Sequence, residues 1–185
     1  MSSPATVSLA RHPQSRCDAV RGITACVRRL AQDVLAVRYV LDADLDRLII
    51  PPLAAPNRAD RLWQHTCFEL FVRPDAAGGY YELNFAPSGA WALYAFTAYR
   101  AAASSAAVAD PPEVTVSRAP NRLSVEAVVR LGALVPTGAD SGRSIGLSAV
   151  IEDSAGGLSY WALAHPPGPP DFHHADAFAF PLPHL

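Results

Sequence analysis

The sequence predicts an all-β fold, namely an antiparallel β-sandwich in which two sheets pack together in a jelly-roll-like, immunoglobulin-like architecture. Three observations lead to this prediction. Short runs rich in β-branched and aromatic residues recur from about residue 19 onwards. The chain of 185 residues contains 17 prolines, and no long segment keeps the period of an amphipathic helix. Many short strands separated by turn residues are typical of sandwiches and barrels.

Nine segments have the composition of strands and are bounded by turn residues. The predicted strands are Val20–Arg29, Val34–Asp42, Thr66–Arg73, Tyr80–Phe85, Trp91–Phe96, Glu113–Arg118, Leu123–Arg130, Ile145–Ile151 and Leu158–His165. In Leu123–Arg130, apolar and polar residues alternate as in a half-buried strand. Turn chemistry occupies Ala119–Arg122 and Ser154–Gly157. The best helical candidate is Ala98–Val108, which is rich in Ala and Ser and is equally compatible with a loop.

The domain organisation is simple. Residues 1–18 are predicted to be an N-terminal extension and residues 19–185 a single ligand-binding domain, because no linker or internal repeat divides the chain. The N-terminus lacks the apolar core of a signal peptide, and no apolar run reaches the roughly 18–20 residues that span a bilayer. We therefore expect a cytoplasmic protein with no membrane partner. The oligomeric state is left open.

Charge and cysteine content exclude several function classes. The formal net charge is -2, and the 15 basic residues are scattered rather than gathered in the stripe that a nucleic-acid binder needs. All of them are arginine, which excludes the lysine chemistry of Schiff bases and P-loops. Three cysteines without paired spacing, Cys17, Cys26 and Cys67, argue against a disulfide framework or a zinc ribbon.

The most informative segment is a hairpin formed by Thr66–Arg73 and Tyr80–Phe85. If its turn closes symmetrically, three apolar pairs face the core: Phe68 with Phe85, Leu70 with Leu83, and Val72 with Tyr81. The same register places Glu69 opposite Asn84 and Phe71 opposite Glu82 on the other face. That face then carries Cys67, Glu69, Glu82 and Asn84, with Trp63 and His65 at its entrance and Trp91 as a further aromatic.

Carboxylates, an amide and flat aromatic rings on one face are what a sugar binder requires. Aromatic rings stack on the apolar faces of pyranoses, while carboxylates and amides bind the hydroxyl groups. An ordinary solvated strand face explains the same residues about equally well. Paired carboxylates also occur in glycoside hydrolysis, which makes an enzyme using Glu69 and Glu82 a lesser alternative. We predict no catalytic residues, because no nucleophile motif is present and Cys67 is not placed to form a dyad with His65.

The C-terminal segment is rich in histidine. His165, His173 and His174 lie in or near strand ends together with Asp171 and Asp176. We rank three interpretations of this segment. Structural support of a proline-stiffened loop comes first, hydrogen bonds to a ligand at the rim come second, and a metal site comes third. The spacing supports no specific metal, so metal ligands stay unassigned.

Four segments carry a resemblance to a known family. Leu62–Phe71, Tyr80–Gly89, Tyr160–Leu163 and Pro170–His174 resemble bacterial DOMON-like domains, over a region from roughly residue 20 to the C-terminus. These domains are related to family 9 carbohydrate-binding modules and to haem-binding cytochrome domains. The resemblance implies a jelly-roll-like sandwich whose concave face binds a sugar or a haem.

The Met, Lys and His content of this chain limits which of the two ligands, sugar or haem, the resemblance implies. Haem-binding relatives hold the iron with Met and His or with Met and Lys, whereas this chain has only Met1 and no lysine. A bis-His haem site for electron transfer would need His65 with one of His165, His173 or His174. No cofactor is expected, although haem stays possible, and so does structural calcium bound by loop residues such as Asp60, Asp75 or Asp110.

The sugar-binding relatives use tryptophans with polar neighbours. Trp63, Glu69, Glu82 and Asn84 match the motifs of that resemblance. The expected function is therefore non-catalytic binding of a small carbohydrate or sugar derivative. The full set of candidate ligand-binding residues is Trp63, His65, Glu69, Glu82, Asn84, Trp91, Trp161, His165, Asp171, His173 and His174. A further alternative is an interaction module without a small ligand, which an exposed apolar patch would indicate.

Overall fold

A computed structural model describes residues 5–74, 79–105, 110–132 and 143–181. Within these ranges the chain forms twelve strands, and every pair of neighbouring strands is antiparallel. The strands are β1 (Ala5–Arg11), β2 (Val20–Ala31), β3 (Val34–Ala43), β4 (Cys67–Arg73), β5 (Tyr80–Phe85), β6 (Trp91–Ala98), β7 (Ala101–Ser105), β8 (Glu113–Ala119), β9 (Arg122–Arg130), β10 (Ser144–Glu152), β11 (Leu158–Ala162) and β12 (Phe180–Pro181). The described helical elements are three short 3₁₀ turns at Leu45–Arg47, Leu62–Gln64 and Ala175–Ala177.

The strands form two sheets that share β1. The first sheet has the order β8-β9-β3-β2-β1, and the second has the order β7-β6-β5-β4-β10-β11-β1, with β12 paired to one end of β10. Ala5–Leu9 pair with β2, whereas Ala10 and Arg11 pair with β11. The first strand therefore crosses from one sheet to the other.

The hydrophobic core lies between the two sheets. In β9 the predicted alternation is present, and its apolar residues join one core cluster with apolar residues of β4, β5 and β10. Tyr39 on β3 connects the layers, since its ring lies 5.2 Å from that of Phe68. Its hydroxyl also donates a 2.6 Å hydrogen bond to the backbone carbonyl of Glu69. The prediction of an antiparallel β-sandwich is confirmed.

The second sheet is covered on its outer face as well. Strands β4, β5 and β10 are buried on both sides, which a two-layer sandwich alone does not produce. Residues 170–178, here called the C-terminal cover, pack on the outer face opposite the core. A small second hydrophobic cluster of Phe71, Tyr80 and Phe178 anchors this cover to the sheet.

All nine predicted strands are present, with ends displaced by at most three residues. The helical prediction for Ala98–Val108 is wrong in its described part, because Ala101–Ser105 form β7 on the edge of β6. Pairing with an existing edge supplies backbone hydrogen bonds that outweigh the local preference of Ala. Two strands were not anticipated: β12, and β1, which lies within the residues treated as an N-terminal extension.

None of the helical turns in the described ranges has the length and apolar composition needed to cross a membrane.

Candidate ligand-binding site

The β4–β5 hairpin has the register that the sequence predicts. Its three apolar pairs align and face the core, while Glu69 pairs with Asn84 and Phe71 with Glu82. A shift of one residue would move every apolar side chain to the opposite face, so burial of one face fixes the register. The polar residues of this hairpin consequently point to the outer face of the second sheet, beneath the C-terminal cover.

A cavity of about 640 Å³ lies on that outer face. Its floor is formed by strands of the second sheet, and its walls come from the 3₁₀ turn before β4 and from the C-terminal cover. The lining residues are Trp63, Gln64, Glu69, Glu82, Tyr94, Phe96, Arg100, Val150, Leu158, Tyr160, Pro170, Phe172 and His173. The volume falls in the range of small-molecule sites, and the lining combines aromatic rings with a few convergent polar groups.

Two carboxyl groups form the polar part of the floor. Glu69 and Glu82 are only 2% and 5% exposed. Glu69 Oε2 accepts a hydrogen bond from Ser148 Oγ at 3.0 Å, and Glu82 Oε1 accepts one from Asn84 Nδ2 at 2.8 Å. Asn84 Oδ1 in turn accepts from the buried Cys67 thiol at 3.5 Å. Asn84 thus orients a cavity residue without lining the cavity itself.

Burial and mutual repulsion shift the proton affinity of these acids upwards. The pKa of Glu69 is raised well above its ordinary value, first by burial and then by the charge of Glu82. The pKa of Glu82 is also raised by burial, against the opposing effects of the Asn84 hydrogen bond and the Arg100 charge. Two neighbouring buried carboxyls cannot both ionise cheaply, so the pair holds protons at pH values where exposed carboxyls have lost theirs.

A chain of hydrogen bonds runs from the β6–β7 turn to the C-terminal cover. The Tyr80 hydroxyl accepts from the backbone N–H of Arg100 at 3.1 Å and lies 2.7 Å from His173 Nδ1. We assign the Tyr80 hydroxyl hydrogen to the bond with His173, which leaves Nε2 of the ring protonated. That nitrogen lies 3.6 Å from Glu82 Oε2. Burial and the charge of Arg100 lower the pKa of His173 to about 4, so the imidazole is neutral at neutral pH.

Arg100 and Asp171 join the same two elements by an ion pair. Arg100 lies in the tight turn between β6 and β7 with a φ of 52°, and its guanidinium is 2.8 Å from an Asp171 oxygen. The other Asp171 oxygen accepts from the Tyr99 hydroxyl at 2.6 Å. Burial alone would raise the pKa of Asp171, but the hydrogen bonds from Tyr99 and Arg100 outweigh it and lower that pKa. Asp171 therefore neutralises Arg100 and positions the cover next to the cavity.

Aromatic rings form the cavity walls. Trp63 is 39% exposed and meets Tyr94 edge-to-face, with ring centroids 5.4 Å apart. Phe96 stacks on Tyr80 at 4.7 Å, inside the small cluster that anchors the cover. The Tyr94 hydroxyl donates to Asp60 at 2.9 Å, and burial together with this bond raises the pKa of Tyr94 to about 12. A partly exposed indole beside ordered rings is a surface on which a flat apolar ligand face can stack.

Four of the predicted site residues line the cavity: Trp63, Glu69, Glu82 and His173. Asn84 and Asp171 contact lining residues from behind, as described above. The remaining predicted residues do not line it.

Two predicted aromatic contacts need correction. Trp91 and Trp161 are 8% and 6% exposed and belong to the core cluster between the sheets. The reason is register: Trp91 pairs with the core-facing Phe85, and Trp161 pairs with Ala149, another core residue. A symmetric four-residue turn at residues 86–89 would set Trp91 opposite Asn84 on the outer face. The hairpin instead closes on the hydrogen bond from Ala86 N–H to the Ala90 carbonyl, which sets Trp91 opposite Phe85.

Three of the four predicted histidines are used elsewhere. The side chain of His65 is 67% exposed and lies 2.7 Å from Glu152. His165 Nε2 donates to the Ala10 carbonyl at 2.8 Å, and His174 accepts from Asp176 N–H at 3.2 Å to cap the following 3₁₀ turn. Only His173 of the four lines the cavity. The residues therefore do not fit a bis-His haem site, since no second histidine of this set faces His173 across the cavity.

The metal candidates give no assembled site. Asp60 is engaged by Tyr94, Asp110 is exposed, and Asp75 lies outside the described residues. In the part of the chain that the structure describes, no three His, Cys, Asp or Glu side chains are grouped to hold a metal ion.

Several lining residues were not predicted, notably Tyr94, Phe96, Arg100, Tyr160 and Phe172. Tyr94 and Phe96 were missed because the β5–β6 turn is one residue longer than predicted. Trp91 therefore faces the core, and the even-numbered residues of β6 face outwards. For Arg100 and Phe172 there was no local signal, because their positions depend on contacts between segments about 70 residues apart.

Comparison with known proteins shows likeness in structure rather than in sequence. No family model matches the chain, and no curated protein matches it. A crystal structure of a "putative carbohydrate-binding protein" from Bacteroides uniformis ATCC 8492 superposes with a TM-score of 0.64 at 12% identity, over 95% of this chain and 84% of that one. A family 9 carbohydrate-binding module from Caldicellulosiruptor kristjanssonii, solved with glucose, superposes with a TM-score of 0.50 at 13% identity, over 84% of this chain and 72% of the module. At these identities the chain is similar to both proteins in fold.

Proposed function

We propose that this chain is a carbohydrate-binding domain that takes a small sugar or sugar derivative into the cavity under the C-terminal cover. The observation that carries the proposal is the convergence of aromatic rings with buried, oriented carboxyl groups at one cavity. Each class of group has a partner on a pyranose. The rings match its apolar faces, and the carboxyl oxygens match its hydroxyl hydrogens.

The site is pre-organised for such a ligand. Ser148 holds one oxygen of Glu69, and Asn84 holds one oxygen of Glu82, so both acids keep a fixed position before binding. His173 is fixed by Tyr80. Groups that are already ordered lose little conformational entropy when a ligand arrives, which favours affinity. The cavity of about 640 Å³ suits one or two sugar rings better than an extended polysaccharide.

The structural comparisons support the same proposal. One protein of similar fold is a family 9 carbohydrate-binding module solved with glucose. The likeness is one of fold, so it supports the ligand class but assigns no residue. The proposed binding residues are inferred from the structure of this chain alone.

Calorimetric titration of the protein with a panel of mono- and disaccharides tests the proposal. We expect saturable binding of at least one sugar and a loss of about tenfold or more in affinity for Trp63→Ala, because a stacked aromatic ring contributes roughly 1–2 kcal/mol. Leu53→Ala is the control, since Leu53 is 68% exposed and does not line the cavity. Absence of binding across the panel, or equal affinity of both variants, would overturn the proposal.

The buried carboxyl pair favours a second candidate, glycoside processing. A raised carboxyl pKa is the property of a general acid, and Glu69 and Glu82 both have it. This candidate predicts slow release of an aryl alcohol from nitrophenyl glycosides and its loss in Glu69→Gln while sugar binding persists. Turnover that is absent in the wild-type protein leaves the binding role.

A further inference from the structure

Two carboxylate oxygens on the cavity floor have no hydrogen-bond donor. Ser148 takes Oε2 of Glu69, and no described residue donates to Oε1. Asn84 takes Oε1 of Glu82, while Oε2 lies 3.6 Å from the nearest ring nitrogen of His173, beyond hydrogen-bond distance. Both side chains are more than nine-tenths buried and line the cavity. Because both residues line the cavity, a ligand that enters it can donate to these two oxygens.

No unpaired positive charge lies near these oxygens among the described residues. Arg100 is the one cation among the lining residues that the structure describes, and Asp171 neutralises it at 2.8 Å. His173 is neutral at neutral pH, as its bond with Tyr80 and its burial require. The titratable and charged groups around the pair are Tyr39 on β3, Cys67 on β4, Tyr80 on β5, Tyr94 on β6, Arg100 in the β6–β7 turn, and Asp171 and His173 in the cover. None of them supplies an unpaired positive charge to the acids.

The walls favour a cation for an independent reason. Trp63, Tyr94, Phe96, Tyr160 and Phe172 surround the cavity with aromatic rings. The face of such a ring is negative and attracts an ammonium group, most strongly where water is excluded. The aromatic walls and the acidic floor thus both favour a positively charged ligand. Both disfavour a carboxylate or phosphate ligand.

We propose that the ligand is an amino sugar, whose protonated amine binds between Glu69 and Glu82 while its ring lies against the aromatic wall. An ammonium group has three donors, which suffice for the two free oxygens. This inference rests on the proposed function and narrows it: it selects amine-bearing sugars over neutral and acidic ones. It does not depend on which sugar stereochemistry the cavity accepts.

Matched sugars separate this inference from the proposed function. Calorimetric titrations at pH 6.5 compare D-glucosamine with D-glucose and N-acetyl-D-glucosamine, and D-galactosamine with D-galactose. We expect an affinity at least about tenfold higher for the amine in one of the two series, the size of one charge-assisted hydrogen bond. Equal affinity for amine and neutral sugars overturns the inference and leaves carbohydrate binding intact. Binding of none of the five overturns the inference and leaves carbohydrate binding to the wider panel.

Variants locate the effect. In Glu82→Gln and Glu69→Gln the preference for the amine should fall to about twofold or less, because an amide carries no charge. Glu113→Gln should keep it, since Glu113 is an exposed carboxylate on β8, at the far edge of the first sheet. If the glutamine variants keep the full preference, the amine does not bind at this pair.

A measurement on the wild-type protein avoids any effect of substitution on folding. A cation that binds to a partly protonated carboxyl pair lowers its pKa, so protons are released. Titrations of the amine in buffers of different ionisation enthalpy should therefore show proton release to the buffer, and titrations of the neutral sugar should not. Proton uptake, or an equal proton count for both sugars, contradicts binding of the ammonium by the carboxyl pair.

Discussion

Glu69 illustrates how the binding site lowers the stability of the folded protein. It is buried beside a second acid, and its only side-chain hydrogen bond in the described structure comes from Ser148. A fold selected for stability alone would place an apolar side chain here, since burying two neighbouring carboxyls opposes folding. Perturbed carboxyls of this kind gather at functional sites, where stability is given up for binding.

This cost has a pH dependence that can be measured. The pKa of Glu69 is raised in the folded protein, so between its unfolded and folded values the folded state binds more protons. Stability is therefore lost as the pH rises through that interval. We expect Glu69→Gln to increase the free energy of unfolding at pH 8 by about 1.4 kcal/mol for each unit of the shift, with little or no gain at pH 4.

Urea unfolding of the wild type and the variant at pH 4 and pH 8 provides the measurement. Glu113→Gln, an exposed carboxylate, serves as the control and should change the unfolding free energy by less than about 0.5 kcal/mol at both pH values. The same pH dependence in the wild type and in Glu69→Gln would show that Glu69 does not carry the cost.

At the scale of elements, the C-terminal cover turns an ordinary sheet face into a cavity. Phe178 fixes the end of the cover: its ring packs edge-to-face on Phe71 at 6.0 Å and on Tyr80 at 5.5 Å. The Arg73 guanidinium also lies over the Phe178 ring, 4.0 Å from its centre. The cover also contributes His173 and Phe172 to the cavity, so its position and the binding site are linked.

Phe178→Ala tests this link. Removing a buried ring leaves a void, and we expect a loss of about 3 kcal/mol in the free energy of unfolding together with weaker sugar binding. Leu30→Ala is the control, because Leu30 is 50% exposed on β2. A loss below about 1 kcal/mol with unchanged affinity would mean that the cover does not depend on Phe178.

The contrast between hairpin and cover explains what could be predicted from sequence. The β4–β5 register followed from alternation, because one face of each strand meets the core and a single shift would expose it. The cover has no periodicity, and its contacts with Arg100 and Tyr80 join segments far apart in the chain. No local pattern encodes such contacts, so Arg100 and Phe172 were found only in the structure.

Across the whole molecule, the two sheets differ in how they are buried. The first sheet provides half of the core and leaves its outer face largely open, whereas the second is buried on both faces. Strand β1 holds the sheets together by pairing with both. The nine strands predicted from sequence describe the layers correctly. They do not include β1, whose pairing partners, β2 and β11, are set by the assembled fold.

The three tryptophans are divided between the cavity and the core between the sheets. Trp63 lines the cavity, whereas Trp91 and Trp161 lie in the core between the sheets. The Trp161 indole N–H is also fixed by a 3.0 Å hydrogen bond to Ser159. A ligand in the cavity therefore touches one indole and leaves two undisturbed.

Binding of a sugar in this cavity, which we claim above, can be followed through the indole N–H signals in the ¹H–¹⁵N NMR spectrum during titration with D-glucose and D-glucosamine. The signals are assigned with Trp63→Phe, Trp91→Phe and Trp161→Phe. We predict that the Trp63 signal moves in a saturable way and that the other two stay in place. An unmoved Trp63 signal, or a shift confined to Trp91 and Trp161, would contradict the claim.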